Sequence, residues 1–137
     1  MTLKDFLVQG DRFAADNGCI FKEVREGYAC AELIVTSHHL NAGGVCQGGA
    51  YFTLADIALA AVMNSRGAMT FGIENHIVFL KSAKEGDTLI AEATEIFNHH
   101  KIPYVEVRVT NQNGDLCCVL TGLAYRKAVD LNVDGLK

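Results

Sequence analysis

Several familiar signatures are missing from this chain, and each absence closes off a class of function. No stretch reaches the roughly 20 apolar residues that a bilayer-spanning helix requires. Lys4, Asp5, Asp11 and Arg12 interrupt the hydrophobics near the N-terminus, so neither a signal peptide nor a membrane span is read there, and a cytoplasmic location is expected. Positive charge is not in excess: 12 Lys and Arg stand against 16 Asp and Glu. The pI is about 5.7. A broad basic field for nucleic acid is therefore not expected. The five cysteines, Cys19, Cys30, Cys46, Cys117 and Cys118, are odd in number and follow neither CxxC nor CxxH spacing. That argues against structural zinc and against a disulfide framework, and for small core residues in a reducing compartment. No Gly-x-Ser-x-Gly motif announces a serine hydrolase. Internal repeats, low-complexity tracts and linkers are also lacking.

What remains is a chain of 137 residues, half of them hydrophobic, which suits a single packed domain over 1–137. Its most informative stretch is Gly48–Ser65. Two glycines open an apolar run, Tyr51 to Met63, in which only Thr53 and Asp56 are strongly polar. The run is too long for a typical strand and reads as a helix over 48–65. A helix apolar on nearly all sides is buried by its surroundings, and a carboxylate within it is costly unless it is paired or used. Asp56 is thus expected to be an anion inside the protein and is the candidate active group.

The rest of the pattern places that helix. Residues 2–16 form an amphipathic helix candidate, with Leu3, Phe6, Leu7 and Phe13 on its apolar side. Strands are expected over 19–24 and 28–35, joined at Glu26-Gly27, followed by a polar loop from Thr36 to Gln47. Gly67 suits a left-handed cap after the long helix. The second half reads as strands at 72–82, 88–97, 103–110 and 115–126, with turns at Glu85-Gly86-Asp87 and Asn113-Gly114. The Asn-Gly pair predicts a two-residue primed turn. The tail after Lys127 shows no pattern and is expected to fray. Helix, two strands, long helix and four strands predict an α+β fold, with an antiparallel sheet curled around the long helix. One sheet does not cover every side of such a helix, so a dimer that completes its burial is expected.

Gly49, Thr53, Asp56, Ala60 and Met63 recur at helical spacing and share one stripe, the least bulky of this helix. It is expected to face a cavity or a second chain. The first backbone N–H groups of the helix, at Gly48-Gly49, are unpaired and lie at the positive end of its dipole, which suits an oxyanion. A carboxylate two turns on lies roughly 10 Å along the axis, far from those groups within one chain. The alternative reading makes Asp56 a structural cap across an interface and the glycines a packing device.

The run Asn41-Ala-Gly-Gly-Val-Cys-Gln47-Gly48-Gly49, continuing through Leu54-Ala55-Asp56 to Asn64-Ser65-Arg66-Gly67, resembles the hotdog-fold acyl-CoA thioesterases of the phenylacetate-pathway (PaaI-like) type. Phe79-Leu80-Lys81, Gly86-Asp87-Thr88-Leu89, Tyr104, Asn113-Gly114 and Gly122-Leu-Ala-Tyr125-Arg126 extend the likeness over about residues 20–126. The resemblance implies a sheet wrapped around a central helix, in a homodimer or dimer of dimers with its active sites between subunits. It implies an acyl-CoA substrate, with no cofactor beyond the coenzyme A of that substrate. Carried over by position, Asp56 is the nucleophile or general base, the Gly48 N–H holds the thioester oxygen, and Asn41 and Gln47 help to position the reactants. Gly49 and Thr53 line the substrate site. Lys81 and Arg126 are candidates for the phosphates of coenzyme A, although each also reads as ordinary surface charge.

Two positions depart from the family pattern. Gln47 stands where this subfamily usually has histidine, and an amide donates hydrogen bonds without titrating. Gly72 falls where relatives often carry serine or threonine. Both keep open a second function, an acyl-CoA-binding or sensing module with weak or no hydrolysis. A hotdog dehydratase or hydratase ranks below both, because no histidine precedes the glycines. The pairs His38-His39 and His99-His100 lack a further ligand at metal spacing and are expected to be solvated loop residues, while His76 reads as a core or interface histidine. Cys46 has no base nearby to make it a nucleophile.

Overall fold

The computed structural model describes residues 1–136. Helices α1 (Leu3–Gly10) and α2 (Arg12–Asp16) precede strands β1 (Ile20–Arg25) and β2 (Tyr28–Ile34), and a 3-10 turn at Ser37–His39 leads to helix α3 (Gly48–Asn64). Strands β3 (Ala68–Phe79), β4 (Thr88–Phe97), β5 (Tyr104–Thr110) and β6 (Leu116–Asp130) complete the chain. The six strands form one antiparallel sheet in the order β1-β2-β4-β5-β6-β3, leaving β1 and β3 as edges. Among the described residues, no helix is long and apolar enough to cross a membrane.

The sheet receives α3 because its inward face is made of small and branched side chains. On β2 and β4 the cross-strand pairs Ala29–Ala93 and Ala31–Ala91 form a low floor, bordered by Leu33–Leu89. Val105, Val107 and Val109 of β5 and Leu120 of β6 continue it, all fully buried. Against this floor α3 packs Leu54, Ala55, Ala58, Leu59, Ala61 and Val62. Burying each larger aliphatic side chain contributes about 1.5–3 kcal/mol. The far end of α3 is tied by Asn64, whose Nδ2 donates to the Ala60 carbonyl and whose Oδ1 accepts from the Thr70 amide at 2.9 Å. Gly67 follows in the left-handed region, as expected of a helix-terminating glycine.

Five expectations need correction. The N-terminal helix expected over 2–16 is two helices, broken at Asp11. That carboxylate leaves the helical conformation and accepts the Ala14 N–H at 3.0 Å, and Phe6 and Phe13 are left exposed. The third strand starts earlier than expected, at Ala68. The Asn113-Gly114 turn is not of the primed type. Only Gly114 has positive φ, and Asn111 Oδ1 accepts the N–H groups of Asn113 and Asp115, giving a longer loop with a glycine bulge. The tail does not fray within the described residues. β6 runs on to Asp130, and the amides of Leu3 and Lys4 donate to the carbonyls of Gly135 and Leu136. Finally, His39 is buried rather than solvated, with Nε2 2.6 Å from the Asn17 carbonyl oxygen and Nδ1 accepting the Thr36 N–H.

Candidate active site

Gln47 is the N-cap of α3, and its Oε1 accepts the Gly49 N–H at 2.6 Å. A side chain at position 49 would put its Cβ 2.5 Å from that oxygen, so the cap depends on glycine here. The cap consumes one amide of the helix start. The Ala50 amide goes to the Gln47 carbonyl. The Gly48 N–H has no partner among the described residues and is the open donor of this helix end.

Gly48 borders a cavity of about 320 Å³ that also takes in Asn41, Cys46, Tyr51, Phe79 and Lys81. A Cβ at position 48 would meet the Phe79 ring at 3.0 Å. The bare backbone therefore lets that ring lie over the helix start, where it also meets Tyr51 edge-on at 5.7 Å between centroids. Tyr51 is fixed in turn, its hydroxyl accepting the Ala83 N–H at 2.7 Å. Asn41 organises its own loop, with Oδ1 accepting the amides of Gly43 and Val45. Lys81 forms an ion pair with Asp115 at 2.6 Å, and this partner raises its pKa. Burial pushes the Cys46 thiol up to about 11, so it is protonated near neutral pH and no nucleophile.

The other expected residues lie elsewhere. Gln47, Gly49 and Thr53 border a second cavity of about 440 Å³ with His38 and Phe13. The Thr53 hydroxyl is turned back onto the Gly49 carbonyl at 2.8 Å. Arg126 belongs to neither cavity. Its Nη1 donates to the His99 carbonyl, while its Nε and Nη2 are buried without partners among the described residues, which sets it apart from Lys81.

Asp56 departs most from expectation. In the single chain it is exposed, not buried, because the sheet covers the opposite side of α3. Its stripe does open outward through Gly49, Thr53 and Ala60, but closes at Met63, which is buried. The protein around Asp56 still desolvates it enough to raise its carboxyl pKa, and the negative charge of Asp11 acts in the same direction. Asn75 opposes that rise through its amide. Eight residues of helix separate Asp56 from Gly48, about 12 Å at 1.5 Å per residue. The two groups do not meet in one chain.

Two neighbours of Asp56, Asn75 and Asp11, were not among the candidates read from the sequence. Asn75 faces inward on β3, opposite Gly122 of β6, and its Oδ1 is buried and unpaired among the described residues. A Cβ on Gly122 would collide with Asn75 Oδ1 and lie 2.6 Å from Leu59 Cδ1, so Asn75 occupies the room that glycine leaves beneath α3. The signal was there to be used: Asn75 alternates in phase with the apolar Ile77 and Phe79. Asp11 gave no signal beyond being an acid within an amphipathic stretch.

Comparison with known proteins follows the same outline. Residues 43–118 match the Thioesterase superfamily domain. The chain is 37% identical to a putative esterase of Archaeoglobus fulgidus over 124 residues, covering 90% of this chain and 80% of that protein. It is 29% identical to the acyl-coenzyme A thioesterase PaaI of Escherichia coli over 120 residues, 88% of this chain and 86% of the relative. The solved structure of E. coli PaaI superposes with a TM-score of 0.85 at 27% identity, over 94% of this chain and 99% of the other. A Streptococcus mutans protein solved with acetyl-CoA bound superposes with a TM-score of 0.77 at 27% identity, over 80% and 89% of the two chains.

Proposed function

From the premise that this chain belongs to the thioesterase superfamily and is a thioester hydrolase of the PaaI-like hotdog type, we propose that it hydrolyses acyl-CoA thioesters at a site shared by two copies. One observation carries the reading. The open Gly48 N–H and the exposed Asp56 carboxylate lie on the same helix but too far apart to act on one carbonyl. Pairing two chains along β3, an edge strand with exposed Phe71, Ile73, Val78 and Phe79, lets the Asp56 of one copy approach the Gly48 loop of the other.

In such a site the thioester oxygen accepts the Gly48 N–H, which sits at the positive end of the α3 dipole. Asp56 acts in one of two ways. As a general base it takes a proton from water while the water oxygen attacks the carbonyl carbon. The tetrahedral intermediate then collapses, the C–S bond breaks, and the CoA thiolate recovers a proton from Asp56. As a nucleophile it forms a mixed anhydride, expels the thiolate, and is released by water attack. A raised carboxyl pKa favours the first role, since a stronger base accepts the proton more readily. Asn41 lines the cavity at the Gly48 end, Gln47 holds the helix cap, and Gly49 and Thr53 complete the wall on the neighbouring side. Lys81 is the better placed of the two candidate cations for a CoA phosphate, because it borders the Gly48 cavity. No cofactor enters beyond the coenzyme A of the substrate.

Replacing Asp56 by Asn tests the reading. Free-thiol release from acyl-CoA is expected to fall by about 10²–10⁴-fold, the usual worth of a positioned base, with the assembly unchanged by analytical ultracentrifugation. Unaltered turnover rejects the assignment. A second reading, an acyl-CoA-binding or sensing module, draws on two observations. Gln47 is committed to capping and does not titrate, and Gly72 offers no hydroxyl. Tight acyl-CoA binding without thiol release by the unaltered protein would favour it.

A further inference from the structure

A cavity of about 400 Å³ lies under α1 and α2 and has no part in the site described above. Leu7, Val8, Ala14 and Phe21 form much of its wall, and α3 contributes Ile57. The volume falls within the roughly 300–1,000 Å³ of small-molecule pockets. Cys19, also in the wall, is pushed up to about 11 by burial and behaves as a neutral apolar group. Its charged lining residues are Lys4 and Asp11.

The position of this cavity ties it to the reacting acid. Ile57 directly follows Asp56 on α3, and Asp11 is close enough for its charge to be felt by the Asp56 carboxyl. Asp11 is fixed there by its own fold role, since it breaks α1 from α2 and caps the latter through Ala14. The corner that carries Asp11 therefore sets both the cavity wall and one side of Asp56. An apolar compartment beside the acid that acts on a thioester is suited to the part of the substrate that is not coenzyme A.

We infer that this cavity receives the acyl chain of the thioester held by the Asp56 of the same copy, and that the chain it selects is an unbranched aliphatic one of medium length. The inference rests on the acyl-CoA reading above. The aliphatic choice follows from the wall. Leu7, Val8, Ala14, Ala15 and Ile57 offer dispersion contacts to a flexible chain, and Phe21 is the one ring in the lining, so a flat aryl group would find a single face to stack on.

The test is a panel of acetyl-, hexanoyl-, octanoyl-, decanoyl- and phenylacetyl-CoA, read as free-thiol release. For the unaltered protein, kcat/KM is expected to rise about fourfold per added methylene, the transfer free energy of a CH₂ expressed as a rate ratio, until the cavity is full. Ala15→Phe and Val8→Trp alter exposed positions of the wall and are expected to lower the octanoyl-to-acetyl ratio of kcat/KM at least tenfold, with an unchanged melting temperature. A ratio that stays constant in both variants overturns the inference, as does a preference of the unaltered protein for phenylacetyl-CoA. If no thioester is turned over, the hydrolase reading is what fails. Calorimetric binding of octanoyl-CoA to the unaltered protein and to Ala15→Phe then still decides: equal affinities overturn the inference, and a tenfold loss in the variant supports it.

Discussion

Strands β1 and β3 both end the sheet, yet they meet solvent in different ways. β1 is six residues long, carries Lys22, Glu23 and Arg25, is interrupted by a bulge between Phe21 and Glu23, and has α1 packed beside it. Short length, charge and a bulge are the usual means of blunting an edge against another chain. β3 runs for twelve residues, and Phe71, Ile73 and Phe79 are each more than half exposed. A long strand with an apolar exposed edge invites a partner. On the shared-site reading, a second copy belongs on the β3 side, where Asn75 lies under α3 and Phe79 lies over Gly48.

The largest expected effect comes from giving β3 the character of β1. Ile73→Lys combined with Val78→Lys is expected to split the proposed dimer into single chains and to lower thiol release by 10³-fold or more. Glu23→Lys on β1, also at an exposed position, leaves both unchanged. Sedimentation and the thiol assay read the outcome, and an intact, active assembly with both lysines present would erase the contrast between the edges.

Acidity sharpens the comparison on the helix between them. The Asp56 carboxyl titrates above the ordinary 3.8 because the protein around it strips away part of its solvent and the charge of Asp11 acts in the same direction. The folded chain therefore binds that proton more readily than the unfolded chain does. Between the ordinary value and the raised one, stability contributed by this group grows as pH falls and is lost as pH rises. On the general-base reading activity runs the other way, since Asp56 must be ionised to accept a proton. Thiol release is expected to fall through an acid limb centred above 3.8. Asp56→Asn should melt higher than the unaltered protein at pH 7 and lose that advantage near pH 4, by thermal unfolding.

Smaller effects follow at two glycines of the β3 half. Gly122→Ala places a methyl against Asn75 and Leu59 and is expected to destabilise by about 1–3 kcal/mol in chemical denaturation. Gly72→Ser meets nothing within 4 Å, so its stability is expected to change by no more than about 0.5 kcal/mol. It also supplies a hydroxyl on the inward phase of the edge, and any rise in turnover would mark that position as the one where this chain gave up a water-holding group.

The long helix, the antiparallel strands and the terminating Gly67 were legible because each depends on a local pattern. Gly48-Gly49 opens an apolar run, Val105, Val107 and Val109 alternate, and a left-handed position calls for glycine. The readings that failed turn on side chains bonding to backbone. Asp11 splits the N-terminal helix by capping the second half, and Asn111 replaces a two-residue turn by holding two amides itself. Periodicity does not register either event. The exposure of Asp56 was missed for a different reason. A run apolar all round reports that a helix will be covered, but not which chain covers it, and a single copy leaves the Asp56 side bare.

If the site is shared as proposed, the spacing of Gly48 and Asp56 on one rigid rod makes each polypeptide half of two catalysts rather than the whole of one. On the shared-site reading, a subunit lacking its acid and a subunit with a spoiled donor loop are each inert in pure form. Refolded together they would rebuild one working centre per mixed pair, with the two defects collected in the other. Genetic complementation between two silent alleles is therefore the outcome expected of that arrangement.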